Sequence, residues 1–311
     1  MYDTLNLRLR TDEAGGTDFV EETACYLENV GEHLFNGDLV VTGNKGSLKI
    51  SLNRRQLKIK DGSICKWYLG DNFQTLGRQD TKQALEKLSD ELHLPIERAS
   101  VTRLDLAQNI IMKHPIETYI NHLGAMKYAK RLQEPHGLYY SFTDGRLCFY
   151  DKTREAKASG ANIPELYQGK NVLRFEQRYM ARIAAKLNVP EVTGKLITDE
   201  DFYRNLLKRW KLAYSSIQKI NDVVLNFEAM KTKQDLNKMG VLSLIERAGG
   251  VVEMLEQINE AAKRGDLSRK QAFDLRKAVN EAAELKDGLT VKSDAITELD
   301  KKIKEAVMFY R

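Results

Sequence analysis

The first ten residues, MYDTLNLRLR, alternate at a period of two. Tyr2, Thr4, Asn6 and Arg8 fall on one side and Asp3, Leu5, Leu7 and Leu9 on the other, the signature of a strand with one buried face. Short alternating runs continue through FNGDLVVTGNKGSLKISLNRRQLKIKDGSICKWYLG, broken at NGD, GNKG and KDGS, which are turn sequences. Residues 1–78 therefore read as an antiparallel meander. The period then becomes helical in DTKQALEKLSDELHLP, residues 80–95. There Leu85, Leu88 and Leu92 share a face, Thr81 can cap the start and Pro95 follows the end. ASVTRLDLAQNII returns to strand. HPIETYINHLGAMKYAKRL reads as helix, with Pro115 in its first turn. GLYYSFTDGRLCFYDK is a hairpin about Asp144 and Gly145, and NVLRFEQRYMARI a strand whose end runs into a helix.

Beyond about residue 195 the pattern is almost all helical. ITDEDFYRNLLKRWKLAYSSIQKI is followed by VLSLIERAGGVVEMLEQINEAAKRGDLSRKQAFDLRKAVNEAAEL, with Gly240, Gly249 and Gly265 as expected breaks. The fold class expected is α+β: an antiparallel or mixed sheet with helices packed on one face, followed by an all-helical C-terminal region. The domains expected are a catalytic one over 1–230 and a helical one over 231–311.

Composition narrows the class without choosing a function. The chain has 311 residues, 42% hydrophobic and 30% charged, which describes a folded globular protein. Lys and Arg total 49 against 44 Asp and Glu, a net charge of +5, compatible with a nucleic-acid partner but too small to identify one. Cys25, Cys65 and Cys148 lie far apart with no CxxC spacing, which argues against a zinc site or disulfide framework and for a reducing cytoplasm. The N-terminus has no apolar signal region, and no apolar run approaches the ~20 residues of a membrane span. A soluble cytoplasmic protein with no membrane partner is expected.

Candidate chemistry lies on three strands. In VTRLDLAQN, Arg103, Asp105 and Ala107 share a face. In LRFEQRYM, Arg174, Glu176 and Arg178 do, and in LCFYDK, Tyr150 and Lys152. If these strands are neighbours, one open face holds two carboxylates, several cations and a tyrosine. Two carboxylates can hold Mg²⁺ or Mn²⁺ through oxygen, and a phenol becomes a nucleophile once its phenolate is stabilised. The same inventory also fits a solvated sheet face, with Asp105 and Glu176 in ion pairs with Arg103 or Arg174 and Tyr150 as packing. Periodicity does not separate the two.

At these residues the chain resembles the phage and plasmid replication initiators of the filamentous-phage gene II/X type, related to the rolling-circle initiators of the Rep_trans group. MYDTLNLRL resembles the family's opening strand, and NGDLVVTG and GSICKWYLGDNF its early hairpins. VTRLDLAQN carries its (T/S)R(I/L)D strand, LCFYDKTRE its tyrosine-x-lysine strand, and VLRFEQRYMARIAAKLNVP its RFE motif and following helix. The resemblance implies a metal-dependent, origin-specific single-strand DNA endonuclease and ligase that starts rolling-circle replication through a 5′-phosphotyrosine intermediate. It implies Tyr150 as nucleophile, Asp105 and Glu176 as ligands of Mg²⁺ or Mn²⁺ and Asp3 as a third. Lys152, Arg103, Arg174 and Arg178 are implied as activators or phosphate contacts. By simple alternation Asp3 sits among leucines, and only a bulge would turn it toward the others. The five histidines nowhere form the pair flanking one apolar residue that many rolling-circle nucleases use.

Tyr139 and Tyr140 are rival nucleophiles on the partner strand. A conjugative-mobilisation relaxase would share this chemistry, and a catalytically inactive replication regulator would share the fold alone. Single-stranded and origin duplex DNA are the expected partners. The helical C-terminal region is a candidate for origin specificity, for contact with a host or element helicase, or for a homodimer.

Overall fold

A computed structural model of the chain describes residues 1–224, 226–228, 230–284 and 290–310. Its strands are β1 (Tyr2–Arg10), β2 (Glu28–Phe35), β3 (Asp38–Lys45), β4 (Leu48–Asn53), β5 (Gln56–Lys60), β6 (Ser100–Met112), β7 (Leu123–Met126), β8 (Lys130–Glu134), β9 (Gly137–Ser141), β10 (Gly145–Asp151) and β11 (Asn171–Tyr179). All but β7 form one sheet in the order β2-β3-β4-β5-β1-β6-β11-β10-β9-β8, and every neighbouring pair is antiparallel. Strand β7 pairs instead with β12 (Ile217–Lys219). Two-residue β13 (Asp222–Val223) pairs with β14 (Thr290–Val291).

The helices are α1 (Phe19–Glu22), α2 (Ile64–Leu69), α3 (Arg78–Leu92), α4 (Ile116–Asn121), α5 (Lys152–Ala158), α6 (Ile183–Leu187), α7 (Gly194–Ile197), α8 (Glu200–Ser215), α9 (Lys233–Ala248), α10 (Val251–Arg264), α11 (Arg269–Ala283) and α12 (Asp294–Phe309). The apolar residues of the alternating strands share one core with α3, α4, α8 and α12. Leu5, Leu7, Leu9, Leu104, Leu106, Phe149 and Phe175 bury against Leu85, Leu88, Ile120, Leu206, Trp210, Ile296 and Leu299. Phe149 and Phe175 stack with centroids 4.3 Å apart, and Trp210 lies 4.5 Å from Phe175. Adjacent strands β10 and β11 are thus locked in register from the apolar side.

An α+β sheet followed by helices is what the pattern predicted, with local differences. Residues 64–69, read as strand and turn, form helix α2, because Ser63 caps it by accepting from the Lys66 N–H. The long helix expected over 114–132 stops at Asn121. Gly124 then packs so closely that a Cβ there would lie 2.5 Å from the Gly249 carbonyl oxygen, and Tyr128 adopts a left-handed φ of 64°, so the chain makes β7 and β8 instead. Gly240 lies inside α9, whereas Gly249 and Gly265 end helices in the left-handed conformation. Lys152 is not a strand residue: Asp151 accepts from the Arg154 N–H and caps α5, so Lys152 opens that helix.

The cores divide the chain differently from a cut between 230 and 231. Met230, Leu242, Ile245, Ile258, Ala272, Val279 and Ala282 form a second small core among α9, α10 and α11. Helix α12 instead returns to the first core through Ala295, Ile296, Leu299, Ile303 and Val307. Of the expected domain 231–311, residues 285–289 and 311, including the last residue of the predicted helical run, Leu285, lie outside the described residues.

Gly145 begins β10 opposite Tyr179, and a Cβ there would lie 2.3 Å from the Arg178 carbonyl oxygen. Backbone cannot move aside as a side-chain tip can. Gly145→Ala is expected to cost about 1–3 kcal/mol through overpacking, read as a lower urea midpoint; an unchanged midpoint would show that β10 slides freely past β11.

Candidate active site

The three polar-faced strands are direct neighbours in the sheet. On β11, Arg174, Glu176 and Arg178 stand opposite Tyr150, Cys148 and Arg146 of β10, and opposite Asn109, Ala107 and Asp105 of β6. The ladder therefore puts Tyr150, Glu176 and Asp105 on one face. Asp3 joins them through a bulge. Tyr2 pairs with Leu106 and Leu5 with Leu104, so three steps of β1 span two steps of β6 and the extra residue reverses the alternation. Tyr2 and Leu5 both bury on the apolar side, while the Asp3 carboxylate turns to the polar one.

The Tyr150 hydroxyl donates to Glu176 Oε1 at 2.7 Å. The same oxygen accepts from Arg174 Nε at 2.5 Å. Glu176 Oε2 accepts from Arg178 Nε at 2.7 Å and Nη2 at 2.5 Å. Arg174 Nη1 also donates to the Asn72 carbonyl at 3.0 Å and Asn109 Oδ1 at 3.1 Å. Its Nη2 lies 2.8 Å from Asp3 Oδ2, close enough for an ion pair but not aligned as a hydrogen bond. Asp3 Oδ1 accepts from Ser63 Oγ at 2.7 Å. Asp105 accepts from Arg103 Nη2 at 2.7 Å and Nε at 3.1 Å, and Arg178 Nε stands 3.9 Å away.

The centre of this face is not open as the strand pattern suggested. Arg174 is fully buried, and Asp3, Asp105 and Glu176 are buried around it. The segment after α2 covers them: the Asn72 and Phe73 carbonyls accept from Asn109 Nδ2 at 3.0 and 2.7 Å, and Tyr167 packs on Phe73. Asn72, Phe73 and Asn109 carried no signal in the sequence, because two of them act through backbone carbonyls in a loop. Lys152, expected beside Tyr150, is buried in α5. Its ammonium pairs with Glu155 at 2.6 Å and lies over the Phe73 ring.

Tyr150 itself is half-buried at the edge of this cluster and lines a cavity of about 590 Å³. Arg146, Arg154, Arg178, Tyr139 and His136 line it too. Directly opposite Tyr150 in the ladder is Gly137, where a Cβ would lie 2.8 Å from the Tyr139 hydroxyl. The missing side chain makes room for the Tyr139 ring next to Tyr150. Tyr140 points the other way, donating to the Gly124 carbonyl at 2.6 Å in the apolar core, which removes it as a nucleophile facing this cavity.

Burial and contact with Glu176 push the Tyr150 hydroxyl well above the ordinary phenol range, against the opposing pull of Arg174. Burial would raise Glu176 too, but the Arg174 and Arg178 guanidiniums outweigh it and hold that carboxyl below the usual range. For Asp105 burial wins over Arg103, and its carboxyl rises to about 6. Two carboxylates on one face are thus pushed in opposite directions.

Asp3, Asp105 and Glu176 do not converge as ligands for Mg²⁺ or Mn²⁺. Guanidinium groups stand between them, and both oxygens of Glu176 are already doubly engaged. Among the described residues no group of three His, Cys, Asp or Glu is placed to hold an ion. As folded, this donor set fits arginine and not a divalent cation.

The Phage_CRI family model, described as the N-terminal part of a gene II-type replication-associated protein, matches residues 1–211, a span that contains all ten strands of the large sheet. No curated protein matches the chain.

Asp105 gives the site a pH signature. Its folded carboxyl holds a proton more tightly than an unfolded one with a pKa of 3.8, so its contribution to stability is present at low pH and is lost as pH rises to about 6. Asp105→Asn lacks this loss. Its stability relative to wild type is expected to rise between pH 4 and pH 7 by on the order of 2–3 kcal/mol, measured as urea unfolding at both pH values; a difference independent of pH would place the titration elsewhere.

Proposed function

Because this chain belongs to the phage family of gene II-type replication-associated proteins, we propose that it initiates rolling-circle replication by nicking and rejoining one DNA strand through Tyr150. The observation that carries this reading is the Tyr150 hydroxyl, held 2.7 Å from a buried carboxylate at the wall of a cavity lined with Arg146, Arg154 and Arg178. That cavity can take a phosphodiester: three guanidiniums offer charge-assisted hydrogen bonds to its oxygens. Of the acids that also line it, Glu134, Asp151 and Glu155, Glu155 is held by Lys152 and Asp151 caps α5.

In the resting protein Glu176 is a weak base and Tyr150 a reluctant acid. A bound phosphate changes this balance, because it competes for Arg178, which presently holds Glu176 Oε2. Relieved of one guanidinium, Glu176 becomes more basic and accepts the Tyr150 proton. The phenolate oxygen attacks phosphorus, the bond from phosphorus to the 3′ oxygen breaks, and that oxygen leaves with the electron pair and takes a proton from water. The protein keeps the 5′ phosphate as a tyrosyl ester, and the DNA gains a 3′ hydroxyl for synthesis. Attack by a 3′ hydroxyl on the ester reverses the step, with Glu176 returning the proton to Tyr150. Arg174 positions Glu176 throughout.

In this reading Arg103, Arg174 and Arg178 serve first as partners of the acids and only Arg178 also meets phosphate. Lys152 holds the start of α5 beneath the cavity. A mobilisation relaxase would run the same chemistry at a different DNA site. The small core of α9–α11 exposes Leu236, Leu244 and Phe273, where a helicase or a second copy would be sought. No helix among the described residues is long and apolar enough to cross a membrane, and the proposed place of action is the cytoplasm.

Incubation with single-stranded origin DNA, read on a denaturing gel, tests the proposal. Wild type and Tyr140→Phe are expected to form a covalent adduct, and Tyr150→Phe to form none while binding DNA within about twofold, since only a hydroxyl is lost. Adduct formation by Tyr150→Phe would move the nucleophile to Tyr139. No adduct from wild type would leave a regulator that binds without cutting. Chelation separates two sources of positive charge: adduct retained in EDTA leaves the work with arginine, and adduct lost but restored by Mg²⁺ or Mn²⁺ assigns it to an ion taken up with DNA.

A further inference from the structure

The charged face continues past the site onto β1, β5 and β4, and there its character changes. Arg8 and Arg10 of β1 lie on the same face as Asn6, which pairs with Arg103. Lys58 and Lys60 of β5 and Lys49 of β4 follow in the ladder. The intervening residues Leu7, Leu9, Leu57, Ile59, Ile50 and Leu52 are all buried on the other side. Arg103, Arg174 and Arg178 each have a carboxylate partner. Among the described residues, Arg8, Arg10, Lys49, Lys58 and Lys60 form no ion pair.

The register makes this costly. Arg8 stands directly opposite Lys58, and Lys49 directly opposite Lys60. Like charges directly across a ladder destabilise a sheet. The acid on this face of β1, Asp3, is taken up by Arg174, and β4 and β5 carry no acid at all. Beneath the cations Arg8 Nε and Asn6 Oδ1 are buried without a hydrogen-bond partner, so a donor and an acceptor stand unused under the patch. A sheet face that needed only solvation would mix signs. Concentrated unpaired cations instead mark a surface whose counter-charge comes from another molecule.

The kind of molecule follows from what else the face carries. Residues Asn6, Arg8, Arg10, Lys49, Ser51, Asn53, Gln56, Lys58 and Lys60 of these three strands include no aromatic ring. Phe35 and His33 enter only from β2 at the far edge, in a pocket that also holds the acid Asp38. Binding of single strands relies on rings on which bases stack. Such a ring, Tyr139, lies on the opposite side of Tyr150, in the cavity. From β4 to β6 is three strand spacings, about 14 Å, or roughly four base pairs of duplex rise. We propose that the polar face of β4, β5 and β1 docks the phosphate backbone of duplex DNA flanking the nick, with Arg8, Lys49, Lys58 and Lys60 as its contacts. The proposal rests on DNA being the substrate and not on Tyr150 being the nucleophile.

The test uses the full chain carrying Tyr150→Phe, so that no strand is cut, with and without Arg8→Gln, Lys58→Gln and Lys60→Gln together. Fluorescence anisotropy follows a short duplex and a single strand of the same sequence from low to physiological salt. The triple variant is expected to bind duplex at least about tenfold more weakly at low salt, with the slope of log affinity against log salt reduced by about 2–3. Single-strand affinity should change less than about threefold, because the stacking side of the site is intact. An unchanged duplex affinity and slope would overturn the proposal, as would an equal loss on single strands. The thermal midpoint should hold or rise as the like-charge pairs disappear; a fall would show that these cations serve the fold and would also overturn it. Lys49→Gln with Lys60→Gln, both exposed, provides a second variant with the same expected sign. Adduct formation by the wild-type chain is read separately, and its absence would end the nuclease reading while leaving the duplex result standing.

Discussion

The polar half of the domain depends on one buried guanidinium. Arg174 has no solvent contact and gathers Asp3 from β1, Glu176 from its own strand, Asn109 from β6 and a carbonyl from the loop after α2. A charge taken out of water is tolerated only where its partners are complete, and removing one partner of a buried pair costs about 3–5 kcal/mol. Three separate pieces of chain must therefore reach Arg174 together. This couples the bulge in β1, the register of β6 with β11 and the loop at Asn72 into one arrangement, and it fixes the carboxylate against which Tyr150 rests.

The two sides of the sheet solve opposite problems. On the apolar side Phe149, Phe175 and Trp210 stack and burial is favourable whatever the detailed geometry. On the polar side every buried group needs a named partner, so the geometry is exacting. Ion pairs within a strand, Arg103 with Asp105 and Arg174 with Glu176, meet part of that need, and other strands and the loop after α2 supply the rest. Arg178 then bridges the two acids across the ladder. Charge is balanced at the centre of the face and left unbalanced at Arg8, Lys49, Lys58 and Lys60. The two regions differ in what they present: the first ties a phenol to a buried carboxylate, and the second presents cations that form no ion pair among the described residues.

Period-two patterning placed Tyr150, Asp105 and Glu176 each on the polar face of its own strand, because alternation along a strand is a local rule and these strands are regular. The same rule misplaced Asp3, since a bulge adds one residue and only the pairing of Tyr2 with Leu106 and Leu5 with Leu104 reveals it. It misplaced Lys152 because Asp151 can continue a strand or cap a helix, and the packing of α5 chose the cap. Arg103, Arg174 and Arg178 looked like phosphate contacts in sequence. In the fold nearby carboxylates occupy them, whereas Arg8 and Lys58 form no ion pair among the described residues.

By itself the sequence determined the α+β class, the strands that carry the candidate chemistry, the helical character of the C-terminal third and the family resemblance. These follow from periodicity, turn residues and short motifs, which are properties of neighbours along the chain. Tertiary structure alone decided that the acids face guanidiniums instead of one another, that Tyr140 lies in the core while Tyr139 lines a cavity, and that α12 returns to the first core. Each of those outcomes depends on which strands become neighbours and on the desolvation that follows, and neither is written in the spacing of residues on a single strand.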